Sequence, residues 1–254
     1  MILTIDIGNS NIVCVLYDYD FNRLYDIRLD TLKIDQMSEY LKFVQQICEP
    51  LKQRYTIEDF IMSSVVPSIT KLAMQAFQDE LGCDGHLLSM AMVPGLVVHL
   101  DQANELGADL IATTFGALRK YKQPTIVVDM GSATKITVIN AQKEFASGLL
   151  LPGLKVAQNA MNAFIPHLPS IPLEFPEQLL GRDTISCMQA GLMYSTIDSI
   201  IGISNRIEKE LNQTCIKILT GGLSNVVKNS LTDYEFDPFL LNEGLMEIYF
   251  KKLT

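Results

Sequence analysis

The chain has 254 residues, 48% of them hydrophobic and 19% charged, with a formal net charge of −9. That length carries one large domain or two modest ones with ample core. The acidic balance argues against a nucleic-acid or anionic-membrane surface as the main partner, but leaves room for a small anionic ligand bound by local loops.

The five cysteines, Cys14, Cys48, Cys83, Cys187 and Cys215, are scattered and odd in number, with no C-x-x-C pair. His86, His99 and His167 show no ligand spacing with them. A zinc site and a disulfide scaffold are both disfavoured, and buried thiols in a reducing compartment fit better. The N-terminus enters a strand at once, so no signal peptide is expected. No apolar run has the length needed to cross a bilayer. A cytoplasmic protein is expected.

Residues 2–7 read as a strand, polar only at Thr4 and Asp6. Ile12–Tyr17 is a second strand and Leu24–Leu29 a third, with a turn at Asp18–Asn22. This is an antiparallel meander, not a strand followed directly by a helix. Neither G-x-G-x-x-G nor G-x-x-x-x-G-K-S/T occurs anywhere, so the two commonest nucleotide fingerprints are absent. Met37–Leu51 is helical, since Leu41, Val44, Ile47, Cys48 and Leu51 recur at three and four. Asp59–Val66 is a strand. It leads to a helix capped by Ser68, with Ile69, Leu72, Ala76 and Phe77 on one face and Gly82 as its stop. Val93–Leu100 is expected to be extended, and Leu110–Lys120 to be a helix.

The second half repeats the order. Ile126–Asp129, Lys135–Ile139 and Phe145–Leu150 make a second meander, followed by a helix at Leu154–Phe164. Pro166, Pro169, Pro172 and Pro176 mark a loop that is expected to be mobile or to cover a partner. A long helix runs from about Ile185 to Leu211. A strand at Cys215–Leu219 ends in Thr220-Gly221-Gly222. A short helix at 223–231 and an amphipathic one at Asn242–Leu253 close the chain.

The two meanders share a first turn. Ile2-Leu3-Thr4-Ile5-Asp6-Ile7-Gly8-Asn9-Ser10 and Ile126-Val127-Val128-Asp129-Met130-Gly131-Ser132-Ala133-Thr134 both read strand, Asp, any residue, Gly, then small polar residues. Glycine lets backbone N–H groups approach an anion, and Asn, Ser and Thr add donors. An aspartate does not bind phosphate directly; a hydrated cation that neutralises phosphate charge is the better ligand for it. Two such loops facing each other would clamp a polyphosphate. A pair of ordinary β-turns would use the same residue types. Paired Asp-x-Gly-Ser loops also occur in aspartic proteases, but those are nearly all β, and the helical patterns here argue against them.

Several motifs coincide in order and spacing: Asp6-x-Gly8-Asn9-Ser10, Gly107-Ala108-Asp109, Asp129-x-Gly131-Ser132-Ala133-Thr134, Pro152-Gly153, Gly181-x-x-Thr184 and Thr220-Gly221-Gly222. Over essentially the whole chain they resemble the type III pantothenate kinases. The resemblance implies an α/β fold of two actin-like (ribonuclease H-like) domains with a nucleotide cleft between them. The domains are expected at 1–110 and 111–254, with the final helix crossing back to the first. It also implies a homodimer and ATP-dependent phosphorylation of pantothenate, the first step of coenzyme A biosynthesis.

By the same resemblance, Asp6, Ile7, Gly8, Asn9, Ser10, Asn11, Ile12 and Val13 line ATP, with Asp6 near magnesium. Ser132 contacts phosphate, and Gly221 and Gly222 let backbone approach the adenosine. Asp129 binds a monovalent cation, potassium or ammonium. Asp109 is the general base. Leu100, Gly107, Ala108, Leu110 and Thr184 fall at pantothenate-contacting positions. As a carboxylate at a helix N-terminus, Asp109 also has a purely stabilising reading.

The chain departs from the family pattern at several positions. Leu110 stands where arginine is usual, Leu100 where tyrosine is, Asp183 where asparagine is, and Lys135 where a threonine is. Ser10 and Ser132 replace threonines and keep the hydroxyl. An arginine–carboxylate hydrogen bond contributes about 1.5–3 kcal/mol, so Leu110 is not a mild change. Asp183 is expected to set a negative charge beside the pantothenate carboxylate, and Lys135 to add a cation on the phosphate side. The ATP half is intact and the acceptor half altered. An ATP-binding homologue with another hydroxyl acceptor, or with a regulatory role, therefore stays open as the alternative.

Overall fold

The computed structural model describes residues 1–253. The first half runs β1 (Ile2–Ile7), β2 (Asn11–Tyr17), β3 (Arg23–Asp30), α1 (Met37–Lys52), β4 (Asp59–Ser64), α2 (Pro67–Leu81), β5 (His86–Leu87) and α3 (Ala108–Lys120). The second runs β6 (Thr125–Met130), β7 (Ala133–Ile139), β8 (Phe145–Pro152), α4 (Leu154–Phe164), α5 (Thr184–Leu211), β9 (Ile216–Thr220), α6 (Ser224–Val227), β10 (Glu235–Phe236) and α7 (Leu240–Leu253).

The strands form two sheets, ordered β3-β2-β1-β4-β5 and β8-β7-β6-β9-β10. Each has the same plan. The central strand, β1 or β6, is antiparallel to the next strand of its meander and parallel to β4 or β9. The repeat seen in the turns is thus a repeat of whole sheets. Both central strands are covered on two faces, which explains their near-continuous apolar runs.

The chain forms two compact units. The first comprises residues 1–97 and 101–120 and everything from Leu240 on; the second comprises 98–100 and 121–239. The boundary expected at residue 110 falls inside α3, which belongs wholly to the first unit. The last helix does return to the first unit.

In the first unit, Leu3, Ile5 and Ile7 of β1 pack with Tyr40, Val44, Ile47 and Leu51 of α1 and Ile69, Ala73 and Phe77 of α2. Thr4 points the other way, as alternation requires, and meets Asn242 of α7. α3 and α7 cross closely because glycines stand at the contact. A Cβ at Gly116 would lie 2.2 Å from the Leu240 carbonyl oxygen, and one at Gly244 would lie 1.8 Å from that of Ala112. In the second unit, Ile126, Val128 and Met130 of β6 pack with Leu154 of α4 and Met193, Ile197 and Ile200 of α5.

Several local expectations change. The edge strand of the first sheet is His86–Leu87 rather than Val93–Leu100, where only Val98 makes an isolated bridge, to Phe145. α2 begins at Pro67, with Val66 at its cap position, so Ser68 lies inside the helix. A proline in the first turn needs no N–H there, and this sets the start. Gly82 does end that helix, in the left-handed conformation. α7 is buried on most sides, including Asn242, Leu245, Met246 and Ile248, so it is not the amphipathic helix its pattern suggested. The proline-rich loop is anchored: Ile171 is buried, Gln158 Nε2 donates to its carbonyl, and Leu168, Leu173 and Phe175 pack on the core of the second unit.

Candidate active site

Asp6 is the second-last residue of β1, half-buried between Val13 on β2 and Ser63 on β4. The turn beyond it is tight, with Gly8 N donating to Asn11 O at 2.9 Å. Residues after β3 brace it from outside: Thr31 donates its hydroxyl to Gly8 O at 2.7 Å and its N–H to Ser10 O at 2.9 Å. Asn11 Nδ2 donates to Leu29 O at 3.3 Å and to Asp30 Oδ1 at 3.2 Å. Asn9 and Ser10 are left exposed at the tip. Ile7, Ile12 and Val13 are buried, so they can offer a ligand only their main chain. The arrangement suits a hydrated magnesium ion. It presents one hard carboxylate beside exposed donors, and magnesium is commonly held by one or two carboxylates with phosphates and water completing the shell. Among the described residues, no group of three or more His, Cys, Asp or Glu side chains is placed to hold a metal on its own.

Asp109 lies in the first turn of α3, half-buried with Gly107, Ala108 and Leu110. Leu110 N donates to Asp109 Oδ1 at 2.8 Å, and Thr113 Oγ1 donates to Asp109 O at 3.0 Å. Gly107 lies close to the Asp109 carboxylate, since a Cβ there would lie 2.6 Å from Asp109 Oδ1. That same Cβ position is 4.0 Å from Val65 Cγ1, and Val65 N donates to Ile7 O at 3.1 Å. The start of α3 and the Asp6 turn therefore sit at one end of the first unit, the C-terminal end of β1 and β4. Open α/β sheets bind ligands at that end. Val65 and Thr31 were not singled out from the sequence, because neither belongs to a recognisable motif.

The second unit builds a matching end. Gly131 N donates to Ala133 O at 3.1 Å, and Ser132 is half-buried beside it. Gly153 backs this turn, where a Cβ would lie 2.4 Å from Ser132 O. Gly221, at φ +93°, follows β9 and presses on β6, so a Cβ there would lie 2.4 Å from Asp129 Oδ1. Leu223 N, just past Gly222, donates to Met130 O at 2.9 Å. Ser132, Gly221 and Gly222 thus share the C-terminal end of β6 and β9.

Asp129, the residue expected to hold a monovalent cation, is paired within the chain. Its Oδ2 carries the Lys135 ammonium at 2.7 Å, and a potassium or ammonium ion would have to displace that group. The pair follows from register, since Asp129 and Lys135 face each other across β6 and β7.

Asp183 has a role in the fold itself. It is the N-cap of α5 and forms a reciprocal box with Ser186. Ser186 N donates to Asp183 Oδ1 at 2.9 Å, and Asp183 N donates to Ser186 Oγ at 3.2 Å. The Ser186 N–H, and then its hydroxyl, hold the Asp183 carboxyl below the usual range. The carboxylate caps the helix end. Thr184, the first residue of the helix, is exposed. Leu100 is half-buried in the second unit, next to His99, whose N–H donates to Phe145 O at 2.9 Å.

A family model described as type III pantothenate kinase matches residues 2–206. The chain is 31% identical over 251 residues to a type III pantothenate kinase of Citrifermentans bemidjiense, covering 98% of each chain. It is 32% identical over 251 residues to one from an Exiguobacterium species, again covering 98% of each. Among solved structures, a Campylobacter jejuni protein assigned to the Baf family of transcriptional activators superposes with a TM-score of 0.62 at 16% identity, covering 99% of this chain and 98% of that one. At that identity the likeness speaks for the fold alone, and the actin-like ATPase α/β fold follows from the family match.

Proposed function

The chain belongs to the type III pantothenate kinase family, and from that premise we propose that Asp109 draws the proton from the hydroxyl of pantothenate while the Asp6–Val13 turn holds the phosphates of ATP. The overall reaction is ATP-dependent phosphorylation of pantothenate, which opens coenzyme A biosynthesis. Phosphoryl transfer asks a protein mainly for position and charge neutralisation. The acceptor oxygen attacks the γ-phosphorus, the bond to the bridging oxygen breaks, and the hydroxyl proton passes to a base. Asp109 suits that role as an anion held in place by its own helix terminus.

Asn9 and Ser10 contribute exposed donors, and Ile7, Gly8, Asn11, Ile12 and Val13 contribute main chain. Asp6 would hold magnesium through water, and the ion would neutralise phosphate charge when bound. In the second unit, Ser132 gives its hydroxyl to phosphate, and Gly221 and Gly222 leave backbone bare for the adenosine. Gly107, Ala108, Leu110, Leu100 and Thr184 are assigned to pantothenate. A homodimer and a cytoplasmic location belong to the same reading. No helix among the described residues is long and apolar enough to cross a membrane.

The observation that carries this reading is the placement of the Asp109 helix start beside the Asp6 turn, joined through Val65. Titration of ATP and magnesium into wild type and Asp6→Ala tests the nucleotide half. Binding by the wild type, weakened in the variant, is expected; equal binding by both counts against the site.

A further inference from the structure

The family resemblance puts a monovalent cation on Asp129, and the residues around that carboxylate do not fit one. Lys135 lies directly across the β6–β7 ladder, and its Nζ is 2.7 Å from Asp129 Oδ2. The two side chains are only 16% and 12% exposed. On the other flank, Oδ1 is pressed against the bare Cα of Gly221, with no room even for a methyl group. One oxygen thus carries an ammonium and the other abuts the Gly221 backbone.

We propose that Lys135 supplies, from within the chain, the positive charge that the resemblance assigns to dissolved potassium or ammonium, so that this protein works independently of both ions. A lysine ammonium matches an ammonium ion in chemistry. Being tethered, it competes at a high effective concentration that dissolved ions do not overcome. A second cation beside it would also meet a like charge in a partly shielded site. The turn that follows Asp129 is the Gly131–Ser132 turn proposed for phosphate, so the charge stands where the ATP chemistry uses it. An ordinary cross-strand ion pair would share the geometry but not the consequence for ion dependence.

The inference rests on the proposed ATP role, and its test therefore reads ion binding apart from turnover. Thallium(I), a potassium surrogate, is titrated into the full-length wild type and Lys135→Thr and followed by thallium NMR. No saturable site is expected in the wild type and one in the variant. Activity is then compared in potassium chloride and choline chloride at equal ionic strength. The wild type is expected to be indifferent, and Lys135→Thr to be about tenfold or more slower in choline and restored by potassium. Lys135→Arg, which keeps the charge, is expected to remain indifferent. Saturable thallium binding or potassium activation in the wild type overturns the proposal, and this holds even if Lys135→Thr fails to fold. A folded Lys135→Thr that gains no thallium site also overturns it. If no protein turns over pantothenate, the kinase reading fails, while the thallium titration still decides the role of Lys135.

Discussion

Asn242, in the last helix, donates its side-chain amide to the hydroxyl of Thr4, in the first strand, at 3.0 Å. Both residues are buried, and the Thr4 hydroxyl in turn donates a hydrogen bond to Val15 O at 3.0 Å. The end of the chain therefore closes the sheet with which it began. Asn242→Ala leaves a buried site without this bond and is expected to cost about 1–3 kcal/mol. In a chain of this size that lowers Tm by about 2–4 °C per kcal/mol. Thermal unfolding monitored by circular dichroism checks it, and an unchanged Tm would contradict the assignment.

The crossing of α3 and α7 depends on the absence of side chains at Gly116 and Gly244. Adding a methyl at Gly244 drives it into the Ala112 carbonyl, which rigid helix backbone cannot easily yield. Gly244→Ala is expected to destabilise by about 1–3 kcal/mol or more through overpacking. This would occur despite alanine's better helix propensity. Denaturant unfolding midpoints of the two proteins provide the comparison.

Asp183 caps α5, and its carboxyl is held below the ordinary carboxylate range by Ser186. A group whose folded-state pKa is depressed contributes stability that is present above its unfolded value, near pH 4, and is lost as pH falls through the folded value. Asp183→Ala is therefore expected to lower Tm at neutral pH, with the difference from wild type closing under more acid conditions. Asp183→Asn, also a good cap residue, should retain most of the stability. If Asp183 instead acted mainly by repelling the pantothenate carboxylate, Asp183→Asn would lower KM with no other change, and steady-state kinetics separate the two.

The acceptor side carries the largest departures from the family pattern. Asp109→Asn is expected to reduce kcat by about 100-fold or more while leaving ATP affinity nearly unchanged. Leu110→Arg restores the usual arginine and should lower KM for pantothenate by about tenfold, equivalent to roughly 1.4 kcal/mol. Loss of uniform binding raises KM more than it lowers kcat, so the wild type should show a high KM with a comparatively intact kcat. A KM unmoved by Leu110→Arg would mean that another group meets the pantothenate carboxylate.

The features that read directly from sequence were local ones. The meanders and their Asp-x-Gly turns follow from strand patterning and turn chemistry within ten residues, and α5 was clear from its long period. β5 is not legible in the sequence because two residues, His86 and Leu87, carry no period to detect. The boundary at residue 110 cuts α3, because local pattern does not reveal that α3 packs on α7 and so stays whole within the first unit. At the candidate site, Lys135 was visible as a departure, but only the strand register shows that its charge lands on Asp129. The cap role of Asp183 is hard to see in sequence because the box here uses Ser186, not the glutamate or glutamine that usually flags one. Thr31 and Val65 act through backbone contacts that no motif encodes.

The central claim is that this chain transfers phosphate from ATP to pantothenate. The most direct test incubates the purified full-length protein with ATP, magnesium and pantothenate, and follows phosphopantothenate by mass spectrometry alongside ADP release. The account predicts equal amounts of the two products, both dependent on pantothenate and both lost in Asp109→Asn. ADP release that is indifferent to pantothenate, or product formation that survives Asp109→Asn undiminished, would contradict it.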